Sequence, residues 1–395
     1  MSNIMETDST YVADTYARFP VVIQGGHGSV AFGEDGREYI DLGSGIAVNV
    51  FGYSDEAWVK AVSDQLHRVQ HTSNLYYTGP CADLAKELCE RTGMKKVFFC
   101  NSGAEANECA IKAARRYGEL KHGKGCSTII TLKDSFHGRT LTTLSATGQD
   151  HFHELFQPLT PGFVYAEGND LDSVKQLIET NDVCGVMIET VQGEGGVNVM
   201  TPDFVKGVRA LCDEHDLIMI IDEVQTGNGR TGSLYSFQGY GILPDVATTA
   251  KGLGGGLPIG ATMLSEKLQD IFHPGDNGST FGGNPAVAAG ALCVLKRIDE
   301  DCLTAVKEKS KLIFQAMEGQ AGVKSVRGLG LMIGIEPEYR SAKEIAADCL
   351  KDGVLVLTAG KNRVRLLPAL NIPEADLMKA LEVLKKEFAK KEGNA

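Results

Sequence analysis

Short runs of β-branched and other apolar residues alternate with helical patterns from about residue 56 to residue 285. The clearest of these runs are Val97–Cys100, Thr128–Leu132, Gly185–Ile188, Leu217–Ile221 and Ala261–Leu264. Strands that are apolar on both faces are typical of buried parallel sheets, whose consecutive strands are connected by helical crossovers. The pattern therefore predicts an α/β fold in which helices cover both faces of a mainly parallel sheet.

The flanking parts of the chain show different patterns. Strand-like stretches surround the turn at Asp35-Gly36, which predicts a β-rich N-terminal segment. A helical pattern from Ala286 to about Met317 predicts one long helix that leads into a smaller α+β domain. We therefore divide the chain into an N-terminal segment that packs with the small domain, a large domain, and the linking helix with the small C-terminal domain: residues 1–55, 56–285 and 286–395.

Composition excludes several classes of partner. The formal net charge is −12 and no Lys/Arg-rich run occurs, so nucleic acid is not an expected partner. The ten cysteines show neither a CxxC pair nor zinc-ligand spacing, which predicts reduced thiols and no metal site. The first residues do not resemble a signal peptide, and no apolar stretch reaches membrane-spanning length. We expect a cytoplasmic protein without a membrane partner.

Two apolar runs end in residues that carry chemistry. The run at Leu217–Ile221 ends at Asp222, and the next one ends at Lys251, which opens a glycine-rich loop. Ligands of open parallel sheets bind beyond the carboxyl ends of the strands. A lysine amine can hold a cofactor aldehyde as a Schiff base, and a carboxylate can keep a pyridine nitrogen protonated. Alone, the acid is commonly a helix cap and the lysine commonly solvated, but their order favours a pyridoxal 5′-phosphate enzyme.

Two further strand ends offer cofactor and substrate contacts. Ser102, Gly103 and Ala104 begin a helix after a strand, where unpaired N–H groups can hold a phosphate, although a simple serine cap gives the same pattern. Phe136 can lie on a planar ring, and Arg139 can bind a carboxylate through two hydrogen bonds. A core aromatic and a surface arginine are the simpler interpretations of these two residues.

Polar residues at the remaining strand ends complete the candidate site. Glu194 follows a fourth strand, and an acid beside an anionic ligand needs a cation, for which we suggest Arg365. Gln225 can donate a hydrogen bond to the phenolate oxygen of the cofactor ring. Ser279 and Thr280 offer hydroxyl groups to a phosphate, although a hydroxyl-rich loop before a helix is more often a cap.

Four motifs together resemble the class III (ornithine-type) aminotransferases of the fold type I pyridoxal phosphate superfamily, and the resemblance spans nearly the whole chain. They are Ser135-Phe-His-Gly-Arg-Thr, Thr190-Val-Gln-Gly-Glu, Asp222-Glu-Val-Gln-Thr-Gly-Asn-Gly-Arg-Thr-Gly and Gly278-Ser-Thr-Phe-Gly-Gly-Asn-Pro. The resemblance implies a large domain with a mainly parallel seven-stranded sheet and a smaller α+β domain. It also implies a homodimer with shared active sites.

The resemblance assigns roles to individual residues. It implies that Lys251 bears the cofactor and that Asp222 meets the pyridine nitrogen. The other expected cofactor contacts are Ser102, Gly103, Ala104, Phe136, Val224, Gln225 and, toward the neighbouring subunit's phosphate, Thr280. The expected substrate contacts are Arg139, Glu194, Arg365 and, toward the neighbouring subunit's substrate, Ser279.

Within the family, Ser44–Asn49 and His71–Thr78 look most like the enzymes that transaminate N2-acetyl-L-ornithine with 2-oxoglutarate in arginine biosynthesis. Arg139 would bind the α-carboxylate of acetylornithine or the side-chain carboxylate of glutamate. Glu194 would neutralise Arg365 for the first donor and release it for the second. This pair argues against an aminomutase, which has no second donor. Succinylornithine, N-succinyldiaminopimelate, 4-aminobutyrate and free ornithine stay open as donors, although Gly45 replaces a tyrosine typical of ornithine δ-aminotransferases.

Overall fold

The computed structural model describes residues 3–391. In chain order its helices are α1 (Asn3–Tyr11), α2 (Ser44–Ala47), α3 (Glu56–Leu66), α4 (Gly79–Thr92), α5 (Gly103–His122), α6 (Leu141–Ala146), α7 (Leu171–Thr180), α8 (Pro202–Glu214), α9 (Ser236–Gly239), α10 (Pro285–Arg297), α11 (Glu300–Met317), α12 (Ala342–Lys351) and α13 (Glu374–Ala389). The first twelve strands are β1 (Ile23–His27), β2 (Val30–Gly33), β3 (Glu38–Asp41), β4 (Lys96–Cys100), β5 (Thr128–Leu132), β6 (Phe163–Ala166), β7 (Val183–Ile188), β8 (Val191–Gln192), β9 (Asn198–Val199), β10 (Ile218–Asp222), β11 (Val246–Thr249) and β12 (Gly260–Leu264). The last five are β13 (Val323–Leu329), β14 (Met332–Pro337), β15 (Val354–Leu355), β16 (Leu357–Ala359) and β17 (Arg363–Leu366).

A seven-stranded sheet with the order β4-β12-β11-β10-β7-β5-β6 confirms the predicted α/β fold. Neighbouring strands are parallel except for the two pairs that β12 makes, which are antiparallel. Strands β7, β10, β11 and β12 are buried along their whole length. Their position between two layers of helices accounts for the continuous apolar runs of the sequence.

The register of two central strands places Asp222 and Lys251 at one edge of the sheet. Strands β10 and β11 are parallel, and Asp222 lies opposite Thr248. The chain leaves β11 at Thr249 and enters a short 3-10 turn at Lys251. Because both strands point the same way, the acid and the amine emerge at the same edge.

The N-terminal segment is tied to the C-terminal part of the chain by backbone pairing. Strands β1, β2 and β3 form an antiparallel meander, and β3 pairs in parallel with β15 through Ile40 opposite Val354. A separate sheet, β13-β14-β17-β16, is antiparallel throughout.

Helix α1 was not predicted. The division at residues 55/56 and 285/286 stays a prediction, and its outer ends, residues 1–2 and 392–395, lie outside the described residues.

The prediction of one helix from Ala286 to Met317 is wrong, because α10 ends at Arg297 and α11 begins at Glu300. Arg91 of α4 donates from its two terminal nitrogens to the carbonyl oxygens of Leu295 and Ile298, both at 2.5 Å. The Asp299 side chain accepts from the Cys302 N–H and caps α11. Arg91 thus binds carbonyl groups at the end of α10, and Asp299 caps the start of α11.

No helix within residues 3–391 is both long enough and apolar enough to cross a lipid bilayer.

Gly260 at the start of β12 allows a close approach to the turn that opens α5. A Cβ at this position would lie 2.3 Å from the Ser102 carbonyl oxygen. We expect Gly260→Ala to lower the free energy of unfolding by roughly 1–3 kcal/mol through overpacking, as measured by urea denaturation. Gly278→Ala is the matched control, because its Cβ would have no neighbour within 4 Å. Equal losses in the two variants would contradict this explanation.

Candidate active site

Asp222 is a buried carboxylate held by donors from three parts of the chain. Its Oδ2 accepts from Asn107 Nδ2 at 2.8 Å and lies 2.8 Å from His137 Nδ1. Its Oδ1 accepts from the Val224 N–H at 3.0 Å. Thr248 Oγ1 donates to Asn107 Oδ1 and so orients that amide. These contacts fix the direction of the carboxylate before any ligand binds.

Sequence reasoning did not identify Asn107 and His137 as site residues. His137 belongs to the motif that contains Phe136 and Arg139, so its place in that motif was the available signal. Asn107 lies near the start of α5, where an asparagine is indistinguishable from an ordinary helix residue. Its link to Asp222 depends on the packing of α5 against the sheet.

Lys251 stands in a strained backbone position without a polar partner. Its φ is 43°, in the left-handed region that non-glycine residues rarely adopt. Within residues 3–391 its amine has no hydrogen bond or ion pair. Burial lowers the pKa of Lys251, and the Glu194 carboxylate opposes this effect. The result is an amine that is available to a ligand and more easily deprotonated than a surface lysine.

Lys251 and Asp222 share a cavity of about 650 Å³. The predicted site residues that line it are Ser102, Gly103, Ala104, Phe136, Arg139, Asp222, Val224, Gln225 and Lys251. Tyr16, Val48, Asn107, His137 and Glu189 also line it without having been predicted as site residues. A volume of this size accommodates a cofactor together with a small substrate.

The N-terminus of α5 approaches the cavity closely because of a glycine. A Cβ on Gly103 would lie 2.7 Å from Val224 Cγ1. The first N–H groups of a helix have no partner within the helix, so those of Gly103 and Ala104 can receive a phosphate. The Ser102 side chain accepts from the Glu105 N–H at 3.2 Å, so Ser102 is also a helix cap.

The backbone of Phe136 is hydrogen-bonded to a second buried acid, Glu189. Its N–H donates to Oε2 of Glu189 at 2.9 Å. Burial raises the pKa of Glu189 well above its usual value, and the nearby Asp222 charge raises it further. Glu189 therefore fixes the backbone that presents Phe136 to the cavity, a role that the sequence did not indicate.

The contact suggested between Glu194 and Arg365 is present. Arg365 Nη1 donates to Glu194 Oε1 at 2.7 Å and to Gln225 Oε1 at 3.1 Å. The Arg365 side chain is 3% exposed and that of Glu194 is 30% exposed. Burial raises the pKa of Glu194, but the charge and hydrogen bond of Arg365, together with Lys251 and Gln225, outweigh burial and bring the net pKa below its usual value. Gln225 lines the cavity and accepts from Arg365, so it connects this ion pair to the cavity.

The structure does not bring Ser279 and Thr280 into this cavity. Ser279 Oγ accepts from Asn101 Nδ2 at 3.1 Å, and only Asn101 lines the cavity. Thr280 is exposed on the surface of the chain. Within the described residues of a single chain, these two hydroxyl groups therefore lie outside the site.

Comparison with known proteins identifies the family. The family model for aminotransferase class-III matches residues 11–388. An acetylornithine aminotransferase of Haemophilus ducreyi is 48% identical over 96% of this chain and 97% of its own length. A succinylornithine transaminase of Salmonella paratyphi A is 42% identical over 97% of this chain and 95% of its own length. The ornithine aminotransferase structure of Toxoplasma gondii superposes with a TM-score of 0.93 at 28% identity, over 98% of this chain and 94% of that one.

The chain belongs to the class-III aminotransferases. It is an aminotransferase of the fold type I superfamily, and its cofactor is pyridoxal 5′-phosphate. The residues of the cavity fit that cofactor. A free amine, an oriented buried carboxylate and a helix N-terminus face one space, and these groups match an aldehyde, a pyridine nitrogen and a phosphate.

The lowered pKa of Glu194 predicts how the ion pair contributes to stability. A depressed folded-state pKa stabilises the protein above the unfolded pKa of about 4.3, and this contribution disappears as the pH falls through the lower folded-state value. We expect Glu194→Gln to lower the free energy of unfolding by roughly 1–2 kcal/mol at pH 7, because Arg365 loses its partner. The difference should shrink below pH 4 in urea denaturation. The exposed Glu179→Gln is the control, and a difference independent of pH would exclude the ion-pair explanation.

Proposed function

We propose that the protein transaminates N2-acetyl-L-ornithine with 2-oxoglutarate, giving N-acetylglutamate 5-semialdehyde and glutamate, as in arginine biosynthesis. The observation that carries the proposal is the contrast between two arginines. Arg365 is buried and paired with Glu194 at 2.7 Å. Arg139 lines the cavity and has no ion pair within the described residues.

The two amino donors of this reaction have different charges next to the reacting amine. Acetylornithine gives up its terminal amine, which adjoins an uncharged methylene, whereas glutamate gives up an α-amine beside a carboxylate. Each donor also has a carboxylate far from the reacting amine: the single α-carboxylate of acetylornithine and the side-chain carboxylate of glutamate. Arg139 suits that distant carboxylate in either donor. Arg365 suits the α-carboxylate of glutamate, and Glu194 neutralises Arg365 when acetylornithine is bound. Gln225 contacts both members of the pair and is the natural link between them.

The other residues divide the work of catalysis. Bound pyridoxal phosphate supplies an aldehyde that takes the amino group and a ring that withdraws electrons from the substrate carbon. Asp222 would keep the ring nitrogen protonated, and the N–H groups of Gly103 and Ala104 would hold the phosphate. Phe136 and Val224, which line the cavity, would contact the ring. Lys251, whose pKa is lowered by burial, would bear the cofactor and, once released, move the proton at the substrate carbon.

The active unit in this proposal is a homodimer with shared active sites. Thr280 and Phe281 are exposed beside a loop whose Leu75, Tyr76 and Tyr77 are 84%, 72% and 107% exposed. Asn74 of that loop donates to the carbonyl oxygens of Ser279 and Gly282, so these exposed side chains lie in one region, and exposed apolar side chains grouped in this way favour burial against another protein. Such contact would let Thr280 reach the phosphate, and Ser279 the substrate, in the partner's cavity.

Succinylornithine is the second candidate donor, because the Salmonella relative bears that name at 42% identity. The two donors differ only in the acyl group on the α-amine, and they share the α-carboxylate that Arg139 would bind. The ion pair and the cofactor residues therefore serve both donors equally. Ornithine, N-succinyldiaminopimelate and 4-aminobutyrate complete the set to be compared.

The substrate assignment is tested by single-turnover half-reactions, followed through the absorbance of the bound cofactor. We expect the highest rate constant per concentration with acetylornithine among acetylornithine, succinylornithine, ornithine, N-succinyldiaminopimelate and 4-aminobutyrate. Lys251→Ala is the chemical control and should lower the rate on the order of 1,000-fold. A clear preference for 4-aminobutyrate would overturn the donor but not the cofactor.

The role of Arg365 is tested by comparing the two half-reactions in one variant. We expect Arg365→Met to lower kcat/KM for glutamate by roughly 10- to 100-fold, because a charge-assisted hydrogen bond to the α-carboxylate is lost. The acetylornithine half-reaction should change less than about threefold. Arg363→Met, on the same strand β17, is the control. Equal losses with both donors would show that Arg365 does not discriminate between them.

The dimer is tested through cofactor affinity. Thr280→Ala is remote from the cavity of its own chain, so in a monomer it should leave the cofactor dissociation constant unchanged. In a shared-site dimer it should raise that constant by roughly 5- to 20-fold, the value of one hydrogen bond to a phosphate. Analytical ultracentrifugation of the same samples measures the assembly state. A monomeric sedimentation coefficient would refute the dimer.

A further inference from the structure

The arginine proposed to bind the distant carboxylate lies against two aromatic rings. The guanidinium carbon of Arg139 is 4.4 Å from the ring centroid of Phe152 and 5.7 Å from that of Phe136. The two rings meet edge to face with their centroids 5.9 Å apart. Within residues 3–391 the Arg139 side chain has no hydrogen bond and no ion pair. The rings are therefore its interaction partners in this part of the molecule.

A ring and a carboxylate hold an arginine in different ways. An aromatic ring attracts the flat face of the guanidinium, so the five N–H donors in the guanidinium plane stay free. A carboxylate partner occupies those donors and neutralises the charge. Arg365 is held in the second way by Glu194, whereas Arg139 is held in the first. An arginine that must bind a carboxylate in both half-reactions gains from being oriented without being neutralised.

Phe152 is itself fixed in position. Its N–H donates to the Gln149 carbonyl oxygen at 3.0 Å, and Gln149 Nε2 donates to the Ser135 carbonyl oxygen at 2.9 Å. On its other side, His153 Nε2 lies 3.1 Å from the Leu144 carbonyl oxygen. Phe152 is half-buried, whereas Phe156 in the same segment is 65% exposed. The backbone that carries the ring is thus anchored to the loop after β5 and to α6.

We propose that Phe152 is a positioning residue that orients Arg139 toward the cavity and keeps its donors free for the substrate carboxylate. The inference deepens the proposed function and rests on Arg139 binding the carboxylate that lies far from the reacting amine. Phe136 contributes the more distant ring contact and faces the cavity itself. Phe152 does not line the cavity, so its effect on substrate passes through Arg139.

The test measures binding of glutarate, a dicarboxylate without an amine, to the cofactor-loaded protein by calorimetry. Phe152→Leu keeps an apolar side chain of similar size but removes the ring face. We expect it to raise the glutarate dissociation constant by roughly 3- to 20-fold. Phe152→Tyr keeps the ring and should bind glutarate within about twofold of the unmodified protein. Arg139→Met gives the largest increase in the glutarate dissociation constant that is expected, because it removes the carboxylate-binding side chain itself.

Steady-state kinetics separate positioning from general damage. Phe152→Leu should raise KM for glutamate and acetylornithine by a similar factor while kcat changes less than about twofold. Phe156→Leu is the matched control on the exposed part of the same segment. The proposal is overturned if Phe152→Leu binds glutarate like the unmodified protein, or if Phe152→Tyr loses as much affinity as Phe152→Leu.

Glutarate binding involves no amino transfer, so this test does not depend on the donor assignment. A protein that binds glutarate through Arg139 and Phe152 but does not react with acetylornithine would refute the proposed function alone. A protein that reacts with acetylornithine but binds glutarate independently of Phe152 would refute this inference alone.

Discussion

The oriented carboxylate of Asp222 is the fixed point on which the rest of the site depends. Asn107 comes from α5, His137 from the loop after β5 and Val224 from the chain just beyond β10, and all three meet this one acid. A buried carboxylate is stable only when its oxygens are paired, so the acid and its donors specify each other's positions. Helix α5, which begins at the proposed phosphate site, is thereby held in register with the sheet.

Close backbone approach is the second constraint on the site. Gly103 admits Val224 at a distance that any side chain would prevent, and Gly260 admits the carbonyl of Ser102 in the same way. Lys251 adopts a left-handed backbone conformation at the exit of β11. These features bring the helix N-terminus, the acid and the amine around a single cavity. Local backbone strain at such a point is tolerated because the buried strands on either side determine the path of the chain.

The two arginines have different partners: Arg139 lines the cavity, and Arg365 is connected to it through Gln225. Arg365 is buried and donates to Glu194 and Gln225, so its charge is paired with a carboxylate. Arg139 lines the cavity, contacts two aromatic rings and has no ion pair within the described residues. The two arginines differ in the side chain that each contacts: a carboxylate for Arg365 and an aromatic ring for Arg139. A carboxylate partner neutralises the charge, whereas an aromatic partner only directs it.

The sequence alone determined the α/β fold and the central strands, because apolar runs are local signals. Its motifs, together with the family resemblance that they carry, named nine residues that line the cavity. It did not predict the break between α10 and α11, where Arg91 binds two carbonyl groups, or the contacts of Asn107 with Asp222, of Glu189 with Phe136 and of Phe152 with Arg139. The tertiary structure decided these features, because each depends on a contact between distant parts of the chain. A hydrogen bond from α4 to the end of α10, or a ring packed on an arginine, leaves no periodic trace in the sequence.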